Sequence, residues 1–294
     1  MEALVREIFH VGLTVRHVEW HKSFLAECLG MQVLSDSSRE GEWISRVTGL
    51  PGFKARNVYM TPDGTNRLEM FEIASPPLVD VPMSLGVYLG VSHVCIGVKD
   101  VGKIRDKVKK QGLSIIKIPG VMQEEALIFQ DVSGLFWEIV PCDAKGYSIQ
   151  VVVSDLDRSV ELYAGLLGLE ALERFDRDVP LQDGSRQWLT AHVRVQRMGS
   201  PCNQVIELYQ YNNITPFKNP RDTINYMGFH HIAFRVVDAL EAFERIRSKG
   251  YRYISEPLHI PEGPNRGGIL FYFYDGDGTV LECFQPPSTS NLIS

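Results

Sequence analysis

The chain has 294 residues, 44% of them hydrophobic and 22% charged, with a formal charge of −6 and a pI near 5.8. A net-negative chain with no Lys/Arg cluster lacks the field that draws in nucleic acid or an anionic membrane, which leaves small molecules as the expected partners. No charged-then-apolar leader and no apolar run near the roughly 18 residues of a membrane span are present, so a soluble, cytoplasmic protein is expected. The five cysteines are odd in number, scattered and without a C-x-x-C pair, which argues against disulfides and a thiolate zinc site.

Phe9 to Val15 reads FHVGLTV, an alternating strand with Val11, Leu13 and Val15 on one face and His10, Gly12 and Thr14 on the other. Val18, His21, Phe24, Leu25 and Cys28 follow at helical spacing, stop at Gly30, and lead into β-rich sequence containing Glu69. After a Pro-rich connector, 73–92, comes the strand SHVCIGV with His93, then a helix through Val101, Ile104 and Val108 to Gly112. Strands with a DVSG turn and Glu138 close that unit. Past a seam at 141–148, the strand YSIQVVV carries Ser148 where the others carry histidine; a helix through Leu156, Val160 and Tyr163 ends at Gly168, and Glu207 follows. The connector 211–230 leads to HHIAFRV with His231, then to a helix through Leu240, Phe243 and Ile246 to Gly250. A loop grown by roughly six residues around HIPEGPNRGG precedes the final strands with Glu282.

Gly30 and Gly168, Glu69 and Glu207, His93 and His231, Asp100 and Asp238, and Gly112 and Gly250 are all separated by 138 residues. The chain therefore reads as two related halves, 1–143 and 144–294, each with two β-α-β-β-β units: 8–73 and 91–141, then 147–211 and 229–286. The fold class is α+β. Strand alternation puts the large apolar residues under the helices and the histidines, beside small residues, on a cavity wall; the four glutamates also point away from the helix-covered face. A carboxylate held partly dry needs a counter-charge, and imidazoles meeting carboxylates in a cup suit one divalent metal ion, Fe(II), Mn(II), Ni(II) or Zn(II). A single such histidine would be read as structural, so the weight lies in the recurrence. His17, His21 and His192 are assigned to the surface or to helix faces. GPNRGG, 263–268, precedes a strand instead of opening a helix and is no phosphate cradle.

The segments HVGLTV…FLAECLGM, HHIAFRVVD…RIRSKG and DGDGTVLECFQPP resemble the vicinal oxygen chelate superfamily, which includes glyoxalase I, methylmalonyl-CoA epimerase, extradiol dioxygenases and the fosfomycin and bleomycin resistance proteins. The likeness covers nearly the whole chain. It implies two half-barrel cups, each from two units, with ligand positions at His10 and Glu69, His93 and Glu138, Ser148 and Glu207, and His231 and Glu282. Unit one pairs with unit two or with unit four, and the sequence leaves both open. Either way the cup with Ser148 is incomplete, and the complete two-His, two-Glu set joins His10 and Glu69 to His93 and Glu138 or to His231 and Glu282.

The resemblance implies a lyase or isomerase of glyoxalase or epimerase style, in which the metal stabilises an enediolate while Glu282 or Glu138 moves a proton. One alternative is an Fe(II) ring-cleaving dioxygenase using His10, His231 and Glu282, although YDGDGTVLE lacks the proline favoured in the extradiol signature. Another is a metal-free drug-sequestering protein, which has no need of buried carboxylates. Tyr272, Tyr274, Arg266 and His230 are expected to orient substrate or support the ligands, and Trp43, Phe71, Phe136 and Tyr209 to supply aromatic walls. Related proteins pair cups by dimerisation, which keeps a homodimer open.

Overall fold

The computed structural model describes residues 4–81, 85–116, 126–143, 146–182, 187–263 and 265–288, with backbone only at Gln182. Unit one comprises β1 (Val5–Thr14), α1 (Val18–Leu29), β2 (Gln32–Glu40), an additional short helix α2 (Glu42–Thr48), β3 (Lys54–Thr61) and β4 (Leu68–Ser75). Unit two is β5 (Gly90–Val98), α3 (Val101–Lys110), β6 (Ser114–Ile116), β7 (Leu127–Gln130) and β8 (Phe136–Pro141). Unit three is β9 (Gly146–Val152), α4 (Leu156–Val160) continuing as a π-helical turn (Glu161–Leu166), β10 (Glu170–Gln182), β11 (Trp188–Gly199) and β12 (Val205–Tyr211). Unit four is β13 (Gly228–Val236), α5 (Ala239–Ser248), β14 (Leu258–His259), β15 (Ile269–Tyr274) and β16 (Val280–Gln285). The repeated aspartates are helix caps: Asp100 accepts from the Lys103 N–H, and Asp238 from those of Leu240 and Glu241. α1 stops where Gly30 adopts a left-handed φ of 69°.

The strands form two eight-stranded sheets, ordered β14-β15-β16-β13-β1-β4-β3-β2 and β10-β11-β12-β9-β5-β8-β7-β6. Unit one therefore pairs with unit four through antiparallel β1 and β13, and unit two with unit three through β5 and β9. The pairing left open by the sequence is the crossed one: each half gives one unit to each cup. The two connectors run beside one another, bridged at Val79 and Tyr226 and at Tyr88 and Phe217. Val11, Leu13, Val94, Ile96, Ile149, Val151, Ile232 and Phe234 join one core that draws on all four units, as alternation requires. Among the described residues no helix is long and apolar enough to cross a membrane.

Three register slips matter for the cups. Phe9 is the extra residue opposite Phe234 and Ala233, Ser92 opposite Val151 and Gln150, and His230 opposite Gly12 and Leu13. Each bulge immediately precedes a cup histidine and breaks strict alternation there.

His21, on the inner side of α1, is buried; its Nε2 lies 3.0 Å from Asp131 Oδ2 and its Nδ1 2.8 Å from the His17 carbonyl. Asp131 also accepts from the Ser133 and Leu135 N–H groups and from Trp137 Nε1, at 2.8–3.0 Å. This latch joins unit one to unit two, and removing its acceptor strands several buried donors at once. Asp131→Ala is expected to lower unfolding free energy by about 3–5 kcal/mol in urea titrations. A loss under about 1 kcal/mol would mean that the latch contributes little. His192 is exposed and sits 2.9 Å from Asp178.

Candidate metal centre

β1, β4, β13 and β16 bring His10, Glu69, His231 and Glu282 together, all buried, with one donor atom of each within 4.8 Å of the others. The His10 and His231 Nε2 atoms are 2.9 Å apart. Glu69 Oε2 lies 3.0 and 3.3 Å from them, and Glu282 Oε2 3.6 and 3.5 Å. Ligand bonds of roughly 2.1 Å put neighbouring donors roughly 3.0–3.4 Å apart, so the set matches the spacing around a first-row divalent ion. Among the described residues, buried Glu69 Oε2 has only the two imidazoles within reach, the surroundings expected of a metal-facing oxygen.

The tautomers are fixed from behind. Thr14 Oγ1 has one hydrogen and donates it to the Ile224 carbonyl at 2.7 Å, so it must accept from His230 Nε2–H at 3.1 Å. Burial, with the neighbouring His231 adding to it, holds the His230 pKa well below the usual imidazole value and keeps this ring neutral. Its bare Nδ1 then accepts from His231 Nδ1–H, 2.8 Å away, leaving a lone pair on His231 Nε2 facing two carboxylates. That lone pair can take the His10 Nε2–H, 2.9 Å away, or a cation. Thr14→Val keeps the volume but deletes the hydroxyl, and is expected to weaken metal affinity about 10-fold or more in chelator competition. Unchanged affinity would rule out the relay.

Burial opposes charge on His10, Glu69 and Glu282, yet these three hold one another ionised. Despite its burial, the Glu69 charge and hydrogen bonds to Glu282 and Glu69 raise His10 to about 9. Against burial, His10 foremost holds Glu69 well below the ordinary carboxylate value and Glu282 at about 2. A raised imidazole stabilises the fold fully below its unfolded value of 6.5, and the contribution disappears as pH rises through about 9. The metal-free protein should therefore lose thermal stability across that window, while a bound divalent ion, supplying the charge itself, flattens the profile. Parallel melting profiles with and without metal would contradict this.

Tyr59 and Tyr272 stand directly opposite Glu69 and Glu282 in the strand register. Tyr59 O–H and Asn57 Nδ2, the latter at 3.0 Å, both donate to Glu69 Oε1. Among the described residues Glu282 has Tyr272 beside it but no comparable pair of donors. The cavity above the quartet is walled by Phe9, Trp43, Phe71, Leu270 and Tyr272, with Arg39 and Glu262 as its other charged groups. His230 lies behind His231 and does not line the cavity. Tyr274 donates to the Asp222 carbonyl at 2.9 Å, away from it, and Arg266 is exposed on the grown loop while Asn265 beside it lines the wall.

His93 and Glu138 stand outside the quartet. They face each other at 3.2 Å in the second cup, with Ser148 and Glu207. Where units one, two and four have Gly12, Cys95 and Ala233, unit three has Gln150, buried, donating to Ser148 Oγ at 2.9 Å and Glu207 Oε2 at 3.3 Å. Arg197 stands opposite Glu207 as Tyr59 does opposite Glu69, and with Arg177 it puts guanidinium nitrogens 3.3 Å from both Glu207 oxygens. That carboxylate already has two cationic partners. Tyr209 lines this cup, and Phe136 packs with Leu85 and Ile128 at its edge.

Residues 7–139 and 148–283 each match the family model of the Glyoxalase/Bleomycin resistance protein/Dioxygenase superfamily, and the chain belongs to that superfamily. A probable lactoylglutathione lyase of Synechocystis sp. is 31% identical over 138 residues, 46% of this chain and 91% of the relative. Lactoylglutathione lyase GLX1 of Arabidopsis thaliana is 28% identical over 135 residues, 45% of this chain but only 41% of the relative. Glyoxalase I from Zea mays superposes with a TM-score of 0.66 at 18% identity, covering 95% of this chain and 92% of that one. A putative dioxygenase from Bacillus subtilis gives 0.61 at 17%, covering 97% and 87%. At these identities the structural matches establish the fold.

Proposed function

We propose that the chain is a divalent-metal-dependent lyase or isomerase of glyoxalase type, acting on a small substrate with two adjacent oxygens. The observation that carries this reading is the convergence of four buried donors, two imidazoles and two carboxylates, beneath an aromatic-walled cavity. The names of the relatives, lactoylglutathione lyases, support a hemithioacetal of a 2-oxoaldehyde with glutathione as the substrate.

His10, Glu69, His231 and Glu282 would hold the ion. When bound, it would supply Lewis acidity that acidifies the C–H on the carbon bearing one of the two substrate oxygens. Glu69, pinned by Asn57 and Tyr59, stays in place as an anchor. Glu282 is the carboxylate free to take the proton and return it to the neighbouring carbon, because its contacts to the imidazoles are longer and no second donor ties it down. Phe9, Trp43 and Phe71 exclude water from the face on which the proton moves.

The test is to load the chelator-treated protein with Mn(II), Ni(II), Zn(II) or Fe(II) and to follow the hemithioacetal with and without oxygen. Turnover without oxygen uptake is the expected result. Fe(II)-dependent oxygen uptake with a catechol or hydroquinone would replace it with ring cleavage on His10, His231 and Glu282. Stoichiometric ligand binding without turnover would sink both readings.

A further inference from the structure

The second cup, where Ser148 stands in place of a histidine, contains a hydrogen-bonded chain of its own. Ser92 Oγ lies 2.9 Å from His93 Nδ1, and His93 Nε2 lies 3.2 Å from Glu138 Oε2. All three residues line one cavity of about 180 Å³, with Arg177 among its polar groups and Leu85, Ile128 and Val179 among its apolar ones.

The backbone accounts for this arrangement. In a regular strand Ser92 and His93 would point to opposite faces; the bulge at Ser92 brings the hydroxyl to the histidine's side. In the first cup His231 lies across Gly12, its partner on the facing strand. In the second, the partner facing His93 is Gln150, whose side chain takes that space. His93 is turned instead toward Ser92 and Glu138. An ionised carboxylate only accepts, so Nε2 carries the imidazole hydrogen and Nδ1 presents a lone pair to the Ser92 hydroxyl. That is the polarity a general base needs. Arg177 is tied down through Nη2, which donates to Glu207 and Tyr209, while its Nε–H is buried without a partner.

We propose that this second cup is a metal-independent acyl-transfer site that hydrolyses a small ester or thioester with a short apolar acyl group. Ser92 is the nucleophile, His93 the base, Glu138 the residue that positions His93, and Arg177 the donor to the developing oxyanion. Ser92 Oγ bonds to the acyl carbon as its proton passes to His93 Nδ1. The C–O or C–S bond of the ester then breaks, and His93 gives that proton to the departing alcohol or thiol. Water adds to the acyl-serine, losing a proton to His93; the bond to Oγ breaks, the proton returns to Oγ, and a carboxylic acid leaves. The cycle consumes one water and needs neither the first cup nor a redox partner.

The alternative is that His93 and Glu138 are leftover ligands paired for want of an ion, in which case Ser92 has no chemical role. The experiment uses the full-length protein with p-nitrophenyl acetate as probe. The expected result is a burst of p-nitrophenolate, an acetyl group mapped to Ser92 in quenched samples, and turnover that persists in chelator. Ser92→Ala should lower turnover by about 10²–10⁴-fold while leaving metal binding by the first cup unchanged. Glu138→Gln should reduce kcat with KM held, and Ser92→Cys should retain the acetyl mark. Hydrolysis by Ser92→Ala at the parent rate, an acetyl group on another residue, or loss of turnover in chelator would each overturn the proposal.

Discussion

Gly12→Ala is expected to abolish stoichiometric metal binding and, with it, turnover. A β-carbon at residue 12 would lie 1.9 Å from His231 Cε1 and 2.2 Å from Nδ1, well inside any real contact. The clash is with the flat of a ring held on three sides, by His10, by His230 and by the tyrosine edge of Tyr272. The imidazole must leave its place or β1 and β13 must part, and either outcome removes one of the four donors. The expected loss of metal affinity is about 100-fold or more, read by metal analysis after dialysis against a chelator. Urea unfolding of the same variant separates the two outcomes, since parting the strands lowers stability and expelling the ring mainly lowers affinity. A variant that binds metal as well as the parent would show that His231 does not lie across residue 12.

The second large effect separates the two carboxylates. Glu282→Gln is expected to keep a bound ion, because His10, Glu69 and His231 remain, while kcat falls by about 10²–10⁴-fold. Glu69→Gln should act in the opposite order. Its side chain is fixed on one oxygen by Asn57 and Tyr59, so an amide there disturbs a hydrogen-bonded anchor and lowers metal affinity first. Metal titrations alongside steady-state kinetics tell these apart. If Glu69→Gln kept its metal and lost kcat while Glu282→Gln lost only affinity, the two roles would have to be exchanged.

Much of this site was legible because its donors repeat. Alternation placed His10, His231, Glu69 and Glu282 on cavity faces, and the 138-residue spacing showed that Ser148 stands where a histidine belongs. Which units share a cup was not legible, since strand pairing between segments more than 200 residues apart is settled by packing and register, which leave no local pattern. The bulges at Ser92 and His230 were hidden for a related reason: alternation assigned the residue before each histidine to the far face, and one extra residue reverses that. Tyr59 and Arg197 carried a signal that went unused. They too are 138 residues apart, and each faces the glutamate of its own unit across the sheet, one as a hydrogen-bond donor to a ligand and the other as its neutralising charge. Gln150 is the same distance from Gly12, and a long side chain at a position that is otherwise small was visible in the sequence.

The crossed pairing of units bears on how the molecule can change. A cut near residue 143 would give two fragments, neither owning a whole cup, and mixing them would be needed to rebuild either one. Inheritance by halves and chemistry by cups thus follow different boundaries. Substitutions in the middle of the chain, units two and three, fall together on one chamber and spare the other, which is assembled from the two ends. A duplicated gene laid out this way can hold one chemistry constant in its outer quarters while its inner quarters explore another.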